Sequence, residues 1–353
     1  MKNKLTKPYA IEPRCSIDLT LSENPLGCSP MVTNKIRKDT SQCVPIPNRY
    51  PSSNGNLLKK KLADAFGGES NNFFITNGSE NIILNIPRIL AKPGDGVVIP
   101  ELSFPLFALY CGFAGLSIQL VPMKNDLGID LAKCKDVALQ RPFPRLVFIC
   151  NPNNPTGMLL KRSDILEFLD KIPEDIIAII DEANIDFGGE SVIDQAFIRP
   201  NVLVLRTFSK GFGLAGMRVG FAVGDKELIR KLTEQTPPFP ITSLSEQLAI
   251  TALRDLEFVE QSRQYMTRQR EIIKSKLKNL GCTVFNSQAN NIFAKLPDRI
   301  NPDQFFKKLN QNDVSVVKGS KFTGFDDSYF RISPRDEKTN QRFIKIIEKV
   351  LIV

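Results

Sequence analysis

The sequence contains no histidine, and this absence narrows the chemistry open to the chain. Ser-His-Asp catalysis, Cys-His catalysis and every histidine-containing metal site are excluded in one step. Acid-base chemistry near neutral pH must therefore come from lysine, carboxylate or tyrosine side chains, or from a cofactor.

Cysteine is sparse and scattered, with no C-x-x-C pair. An odd, unclustered set in a chain without a secretion signal predicts reduced thiols, mostly buried, rather than a disulfide framework or a zinc site. The seven positions are Cys15, Cys28, Cys43, Cys111, Cys134, Cys150 and Cys282.

Long apolar runs are also missing. The first residues, "MKNKLTKPYAIEPRCSIDLTL", lack the apolar core of a signal peptide. No later run approaches the ~18 apolar residues of a membrane span. We therefore expect a cytoplasmic protein with no membrane partner.

The chain is basic, but its charge is dispersed. Lys and Arg number 47 against 38 Asp and Glu, which gives a formal net charge of +9. The densest basic tracts have the spacing of amphipathic helices with solvated polar faces, and no interleaved aromatic residues accompany them. We expect no nucleic-acid partner.

Five short segments are apolar on both alternate faces, as strands of a parallel or mixed sheet covered by helices are. The tract "NLLKKKLADAFGG" predicts a helix that stops at Gly67 and Gly68. The sequence thus predicts an α/β fold whose ligands bind beyond the carboxyl ends of the strands. The predicted strands are 96–100, 146–150, 176–181, 202–207 and 219–224.

A chain of 353 residues is long enough for one large and one smaller domain. The pattern of apolar and charged residues changes after the prolines at 237, 238 and 240. From there a long helical stretch is predicted over roughly 243 to 280. We predict an N-terminal segment 1–30 that packs on the small domain, a large domain 31–240 with a mostly parallel sheet, and a small C-terminal α/β domain 241–353.

Polar residues follow the predicted strands. Asn77, Gly78 and Ser79 lie between a strand and a helix, where free backbone N–H groups and the helix dipole favour a phosphate. Asp181 ends a run of isoleucines, and Lys210 follows another apolar strand in "LVLRTFSKGFGLAGMRVG". One ligand suits this collection, an aldehyde that carries a phosphate and a pyridine nitrogen. Pyridoxal 5'-phosphate would form a Schiff base with the lysine.

The same residues resemble a known family. "RYPSSNG", "NGSENII", "NPNNPTG", "DEANIDF" and "RTFSKGFGLAGMRVGF" resemble, in order and spacing, the motifs of fold-type I pyridoxal-phosphate-dependent aminotransferases of class I and II. The match is best to the histidinol-phosphate aminotransferase branch. "SENPLG" and "YFRIS" extend the resemblance over residues 18 to about 333.

The resemblance implies roles for particular residues. It makes Lys210 the Schiff-base residue and proton shuttle, Asp181 the partner of the pyridine nitrogen, and Asn154 the donor to the ring oxygen, these three being catalytic. It implies a homodimer in which Tyr50 completes the partner's site, and a small amino substrate whose anionic group Arg331 binds. The other implied cofactor-binding residues are Gly78, Ser79, Glu80, Phe104, Asn184, Thr207, Ser209 and Arg218, and Asn24 joins Arg331 at the substrate.

Two departures leave the reaction open. The family usually has tyrosine where this chain has Asn184, and an amide donates from a shorter side chain. After Arg331 the chain continues "RISPRD", with Pro334 and Arg335 in place of the usual residues. Upstream, Lys318 and Lys321 in "VVKGSKF" are candidates for extra positive charge towards a phosphate or a second carboxylate, although exposed lysines are the commoner interpretation. Threonine-phosphate decarboxylases resemble this branch and also lack the tyrosine hydroxyl.

Three functions are therefore carried forward. The first is an aminotransferase of the histidinol-phosphate type. The second keeps the cofactor but catalyses decarboxylation, elimination or cyclisation of an amino acid such as an arginine derivative, because the bond that breaks depends on its orientation to the ring. The third is a non-catalytic cofactor-binding or regulatory protein, against which the joint presence of Lys210, Asp181, Asn154 and Arg331 argues.

Overall fold

The computed structural model describes residues 15–41 and 48–351. Residues 1–14 of the predicted N-terminal segment, Cys43 and residues 352–353 lie outside this part of the chain. Within it, no helix is both long and apolar enough to cross a membrane. Of the described cysteines, four are buried and two are half-buried, in line with the predicted thiols.

The strands form three sheets. A seven-stranded sheet has the order β2-β8-β7-β6-β5-β3-β4, a four-stranded sheet has the order β12-β13-β10-β9, and β1 pairs with β11. The strands are β1 Ile17–Asp18, β2 Phe73–Asn77, β3 Gly96–Pro100, β4 Ser117–Val121, β5 Leu146–Cys150, β6 Ile177–Asp181, β7 Val202–Thr207, β8 Val219–Gly224, β9 Thr283–Val284, β10 Ile292–Lys295, β11 Val314–Ser315, β12 Val317–Lys318 and β13 Tyr329–Ile332.

The helices cover the sheets and connect the strands. They are α1 Pro30–Ser41, α2 Asn56–Phe66, α3 Ser79–Leu90, α4 Leu106–Phe113, α5 Leu131–Ala138, α6 Arg162–Asp170, α7 Gln195–Ile198, α8 Lys226–Glu234, α9 Ser243–Ala252, α10 Leu256–Asn279, α11 Pro302–Gln311 and α12 Glu337–Leu351. The predicted helix α2 ends where glycine was expected to stop it, since Gly67 takes a left-handed φ of 85° at its C-cap.

The large sheet is mostly parallel because only β8 runs against its neighbours. Alternate residues of each central strand face different cores. Phe148 packs in one hydrophobic cluster and Ile149 in the other, and both are fully buried. This two-sided burial explains why these strands read as continuous apolar runs. The predicted α/β fold is confirmed.

The four-stranded sheet is antiparallel and packs with α10, α11 and α12 around a third hydrophobic core. The N-terminal strand β1 pairs in parallel with β11, and Ile17 and Leu19 are buried in the same core. The described residues around β1 therefore pack in the core of the smaller sheet.

The predicted helical stretch 243–280 is wrong in one respect, because it is two helices. The chain breaks between α9 and α10, where the Asp255 side chain accepts a hydrogen bond from the Phe258 amide as an N-cap. Leu248 and Ala249 of α9 belong to a core of the large sheet. The predicted domain bounds stay a prediction, and the packing of α9 favours a boundary after it rather than at residue 240.

Candidate active site

A cavity of about 410 Å³ lies at the carboxyl ends of β5, β6 and β7. This is the edge at which a parallel sheet of this type binds ligands. The cavity brings together most of the residues that the sequence predicts for a site. Those that line it are Ser79, Glu80, Phe104, Asn154, Asp181, Asn184, Thr207, Ser209, Lys210, Arg218 and Arg331.

Lys210 sits in the turn that follows β7. Its ammonium donates a hydrogen bond of 2.8 Å to the carbonyl of Ser22, which also accepts from the Asn290 amide at 2.8 Å. Burial lowers the pKa of Lys210 to about 8, and the positive charge of Arg331 acts in the same direction. A neutral amine is therefore accessible near neutral pH, as a nucleophile for an aldehyde requires.

Asp181 is the last residue of β6 and is 3% exposed. Its Oδ1 accepts a hydrogen bond of 2.9 Å from the Ala183 amide. Burial raises the pKa of Asp181 to about 6, although the nearby Lys210 charge opposes that shift. A buried carboxylate of this kind gains most from a ligand that brings a positive N–H group.

The buried charge predicts that replacing Asp181 with asparagine will stabilise the cofactor-free protein at pH 7.5. The folded-state pKa lies above the unfolded value, so the native carboxyl contributes stability below pH 4 and loses it as the pH rises through 6. The isosteric amide keeps the acceptor for Ala183. We expect a gain of about 1–3 kcal/mol in the free energy of unfolding, measured by urea denaturation.

The gain should disappear below about pH 4, where the carboxyl is protonated in both states. Asp298→Asn is a suitable control because the Asp298 side chain is 92% exposed, and it should change stability by less than about 0.5 kcal/mol. A less stable Asp181→Asn protein at pH 7.5 would show that the carboxylate is already compensated in the folded chain.

The amino end of α3 forms an anion-binding cup with the loop that follows β7. Arg218 Nη1 lies 3.4 Å from Ser209 Oγ and donates to the Ala215 carbonyl at 3.1 Å. Gly78 has a φ of 83°, and a Cβ there would lie 2.5 Å from Arg218 Nη2. Backbone N–H groups, hydroxyls and a guanidinium converge here, as phosphate binding at a helix terminus requires.

Glycine is also needed on the neighbouring strand. A Cβ at Gly220 would lie 2.2 Å from the Ser79 amide nitrogen. The cup therefore depends on two glycines that let the strand and the loop approach each other closely. Gly78 contributes backbone to the cup without lining the cavity.

Arg331 reaches the cavity from β13 of the smaller sheet and is 2% exposed. Its Nη1 donates to Asn154 Oδ1 at 2.9 Å, and its Nη2 donates to the Thr20 carbonyl. Its buried Nε has no hydrogen-bond partner among the described residues. Because the Asn154 oxygen accepts a hydrogen bond from Arg331, the Asn154 amide nitrogen is the atom that can donate to a ligand.

Phe104 and Asn184 lie on the cavity wall. The Phe104 ring is half-buried and meets Phe107 edge-on, with ring centroids 5.6 Å apart. Asn184 is 6% exposed, and its Oδ1 is buried without a partner in the described part of the chain. An orphaned amide oxygen accepts a hydrogen bond, so it fits a ligand group that brings a donor to this wall.

Three predicted residues are placed differently from the rest. The Asn24 amide donates to the Gly211 carbonyl and to Ser262 Oγ, both at 2.9 Å, so it supports the Lys210 loop rather than lining the cavity. Tyr50 is 82% exposed and stacks on Phe239, with ring centroids 4.6 Å apart. It does not line the cavity of its own protomer.

The third is Glu80, which lies at the rim, where its carboxylate accepts a hydrogen bond of 2.6 Å from the Tyr110 hydroxyl. Burial, with that carboxylate, raises the pKa of Tyr110 to about 12. Lys318, which the sequence offered as extra charge for the substrate, pairs instead with Asp327 at 3.2 Å.

Sequence reasoning missed several lining residues. The segment before Asn24 contributes Ser22, whose position beside "ENPLG" was the available signal. Helix α4, which begins two residues after Phe104, contributes Leu106, Leu109 and Tyr110 to the cavity wall. The missed residues are Thr20, Leu21, Ser22, Ile83, Leu106, Leu109, Tyr110, Cys150 and Ala183.

The mostly parallel sheet, a lysine with a lowered pKa, a buried carboxylate and an anion cup together define a pyridoxal-phosphate-dependent enzyme of fold type I. Gly78 and the donors of the anion cup fit the phosphate of that cofactor, and the buried Asp181 carboxylate fits its pyridine nitrogen. The chain belongs to the family "Aminotransferase class I and II", whose model matches residues 16–347.

Curated and solved relatives agree with this family. The chain is 32% identical over 354 residues to the histidinol-phosphate aminotransferase of Methanococcus maripaludis strain C5, covering 99% of this chain and 94% of the relative. The structure of histidinol-phosphate aminotransferase from Sinorhizobium meliloti in complex with pyridoxal-5'-phosphate has a TM-score of 0.87 at 20% identity, covering 96% and 91% of the two chains.

A second solved structure shares the fold. L-threonine-O-3-phosphate decarboxylase from Porphyromonas gingivalis has a TM-score of 0.82 at 21% identity, covering 95% and 99% of the two chains. The predicted fold type, the aminotransferase family and the pyridoxal-phosphate cofactor are confirmed, whereas the roles of single residues stay predictions.

Proposed function

We propose that the protein transfers the amino group of an amino-alcohol phosphate of the histidinol-phosphate type, or of a closely related amino acid, to a keto acid. The observation that carries the proposal is one cavity lined by Lys210 and Asp181 together with the guanidinium groups of Arg218 and Arg331. Two curated histidinol-phosphate aminotransferases, each 32% identical to this chain, support the substrate class.

In this proposal the cofactor supplies an electron sink for a carbanion at the substrate α-carbon. Asp181 holds the pyridine nitrogen in its protonated form, and Asn154 and Asn184 donate to the ring oxygen. Phe104 orients the ring by stacking. The Lys210 Nζ would take the proton from the substrate α-carbon, because its lowered pKa makes a neutral amine accessible.

The phosphate of the cofactor is held by the cup, which Gly78, Ser79, Thr207, Ser209 and Arg218 form. Arg331 binds the anionic group of the substrate, and its buried Nε supplies a donor that is not yet used. A planar guanidinium can donate two parallel hydrogen bonds to a phosphate or a carboxylate, which a lysine does not.

Decarboxylation is the second candidate, because Asn184 stands where the family has a tyrosine hydroxyl and its oxygen has no partner. A different hydrogen bond at the ring oxygen changes the electronics of the loaded cofactor and the substrate orientation that the pocket favours. The two candidates differ in the form of the cofactor that a half-turnover leaves behind.

The test is a single-turnover absorbance measurement on the loaded protein without keto acid. Histidinol phosphate, phosphothreonine, glutamate and an arginine derivative are offered separately. Transamination converts the cofactor to its amine form with the true donor. If substrate is consumed and the aldehyde form of the cofactor returns, transamination is wrong as the main reaction. The same experiment on Asn184→Tyr then shows whether this residue sets the choice.

We also propose that the enzyme works in the cytoplasm as a homodimer in which Tyr50 reaches the partner's cavity. Two exposed aromatic rings support this proposal, because Tyr50 is 82% and Phe239 43% exposed. A stacked aromatic pair of that exposure is typical of a surface that a second subunit covers.

Complementation between inactive subunits tests the shared site. If Tyr50 acts in the partner's cavity, Tyr50→Ala and Lys210→Ala subunits should each be impaired alone, but refolding them as an equal mixture should restore roughly a quarter of the intact sites. Activity and sedimentation are measured on the same samples. Recovery no greater than the mean of the two parents would show that Tyr50 does not complete a neighbouring site.

A further inference from the structure

Behind the cavity lies a buried ion cluster, defined here as Glu182, Asp186 and Arg206. Arg206 Nη2 donates to Asp186 Oδ1 at 2.6 Å, and Arg206 Nη1 lies 3.6 Å from Glu182 Oε2. All three side chains are at most 7% exposed. The guanidinium also lies 5.4 Å from the centre of the Phe66 ring.

Each member of the ion cluster adjoins a residue of the proposed site. Glu182 directly follows Asp181 at the end of β6, and Arg206 directly precedes Thr207 at the end of β7. Asp186 adjoins the site through space, because its carboxylate accepts a hydrogen bond from the amide of Gly211, the residue after Lys210.

The Asp186 side chain fixes the position of Gly211, the residue after Lys210. A Cβ at Gly211 would lie 2.4 Å from Asp186 Cβ and 2.5 Å from its Oδ2. The Lys210 loop therefore sits directly on the Asp186 side chain, and the Gly211 carbonyl is held from the other side by the Asn24 amide at 2.9 Å. One buried carboxylate thus determines where the backbone of the lysine loop lies.

Glu182 is anchored just as firmly on the opposite side. Its Oε2 accepts from Ser191 Oγ at 2.5 Å, and its Oε1 accepts from the Val192 amide at 2.6 Å. The carboxylate cannot swing without leaving these donors unpaired in a dry environment, which is costly. The end of β6, and with it Asp181, is held in one orientation.

We propose that Arg206 and Asp186 are positioning residues for the reaction, which set the Lys210 amine and the Asp181 carboxylate in register with the cofactor ring. Buried ion pairs contribute little net stability compared with apolar packing, so stability alone is a weak reason for burying three charges here. The guanidinium fork instead links two strand ends and a loop in a fixed geometry. The inference rests on the proposed function for its kinetic readout.

The test compares Asp186→Asn with a matched control, Asp170→Asn. Arg199 Nη2 donates to Asp170 Oδ1 at 2.6 Å, the same atoms and distance as in the cluster, but the Asp170 side chain is 62% exposed and far along the chain from the site. Arg206→Lys is the second variant, since lysine keeps the charge but cannot span both carboxylates.

Five quantities are measured on each loaded protein. They are the visible circular dichroism of bound pyridoxal phosphate, the fraction of Lys210 that borohydride reduction links to it by mass spectrometry, kcat and KM, and the thermal unfolding midpoint. We expect Asp186→Asn and Arg206→Lys to lower kcat by about 10- to 100-fold with little change in KM, and to weaken the dichroic band. Asp170→Asn should change none of them by more than about 2-fold.

The inference is overturned if both cluster variants keep kcat and the dichroic band within about 2-fold of the parent while unfolding at lower temperature, or if neither variant folds, because the cluster then serves stability alone. The dichroism and the borohydride fraction need no substrate. A parent protein that turns over none of the substrates offered would therefore refute the proposed function, while these two readouts still decide the role of the cluster.

Discussion

Lys210→Ala should lower kcat for the amino-transfer half-reaction by about 10⁴-fold or more, while the protein still folds and still binds pyridoxal phosphate through the anion cup. In the proposed mechanism Lys210 supplies both the amine that captures the aldehyde and the base for the α-proton. Its lowered pKa, about 8, is suited to both tasks. Stopped-flow absorbance of the variant, loaded with substrate and cofactor together, measures the remaining rate.

Lys226→Ala is the matched control, because Lys226 is half-exposed and pairs with Glu69 at 2.6 Å on the surface. It should leave the rate unchanged within about 2-fold. A small primary amine in the buffer should restore part of the lost rate to Lys210→Ala and none to the control. A Lys210→Ala protein with undiminished function would instead support the non-catalytic alternative.

Arg331→Lys should lower kcat/KM for an anionic substrate by about 100-fold. Lysine keeps the charge but loses the paired hydrogen bonds that a guanidinium offers to a phosphate or carboxylate. In this site it also leaves the Asn154 oxygen and the Thr20 carbonyl with fewer donors. Steady-state kinetics with histidinol phosphate and with its dephosphorylated form separates these two effects.

If Arg331 binds the phosphate, the loss should be large for histidinol phosphate and small for histidinol. Equal losses for both amines would mean that Arg331 maintains the cavity and does not recognise the anion. Arg335→Lys provides the comparison, since Arg335 pairs with Glu23 at 2.6 Å and is partly exposed. Its effect should stay below about 3-fold.

Much of the site could be predicted from the sequence because a mostly parallel sheet brings the ends of its strands together at one edge. Strands such as β5 and β7 are apolar on both faces, and their ends must then meet at one edge of the sheet. Asp181 and Thr207 end such strands, and Lys210 lies three residues beyond β7, so their convergence needed no knowledge of side-chain contacts. Gly78 and Gly220 mark close approaches that only a residue without a Cβ allows.

The remainder depended on contacts between residues far apart in sequence. β4 has a mixed burial pattern as an edge strand, so the apolar-run criterion missed it. Asn24 looked like a substrate ligand, but its amide is taken up by the Gly211 carbonyl and by Ser262, 238 positions away. No local pattern reports such a partner.

The carbonyl of Ser22 accepts hydrogen bonds from two side chains, Lys210 and Asn290, at the same distance of 2.8 Å. Because both side chains donate to it, the Ser22 carbonyl does not become unpaired if Lys210 moves away. When Lys210 turns towards a ligand, Asn290 alone still satisfies the carbonyl, so the departure avoids the penalty of an unpaired polar group. In the proposed mechanism Lys210 is thus held at rest by a hydrogen bond whose loss leaves no unpaired acceptor, and Asn290 keeps its contact with the segment around Ser22 after the lysine has moved.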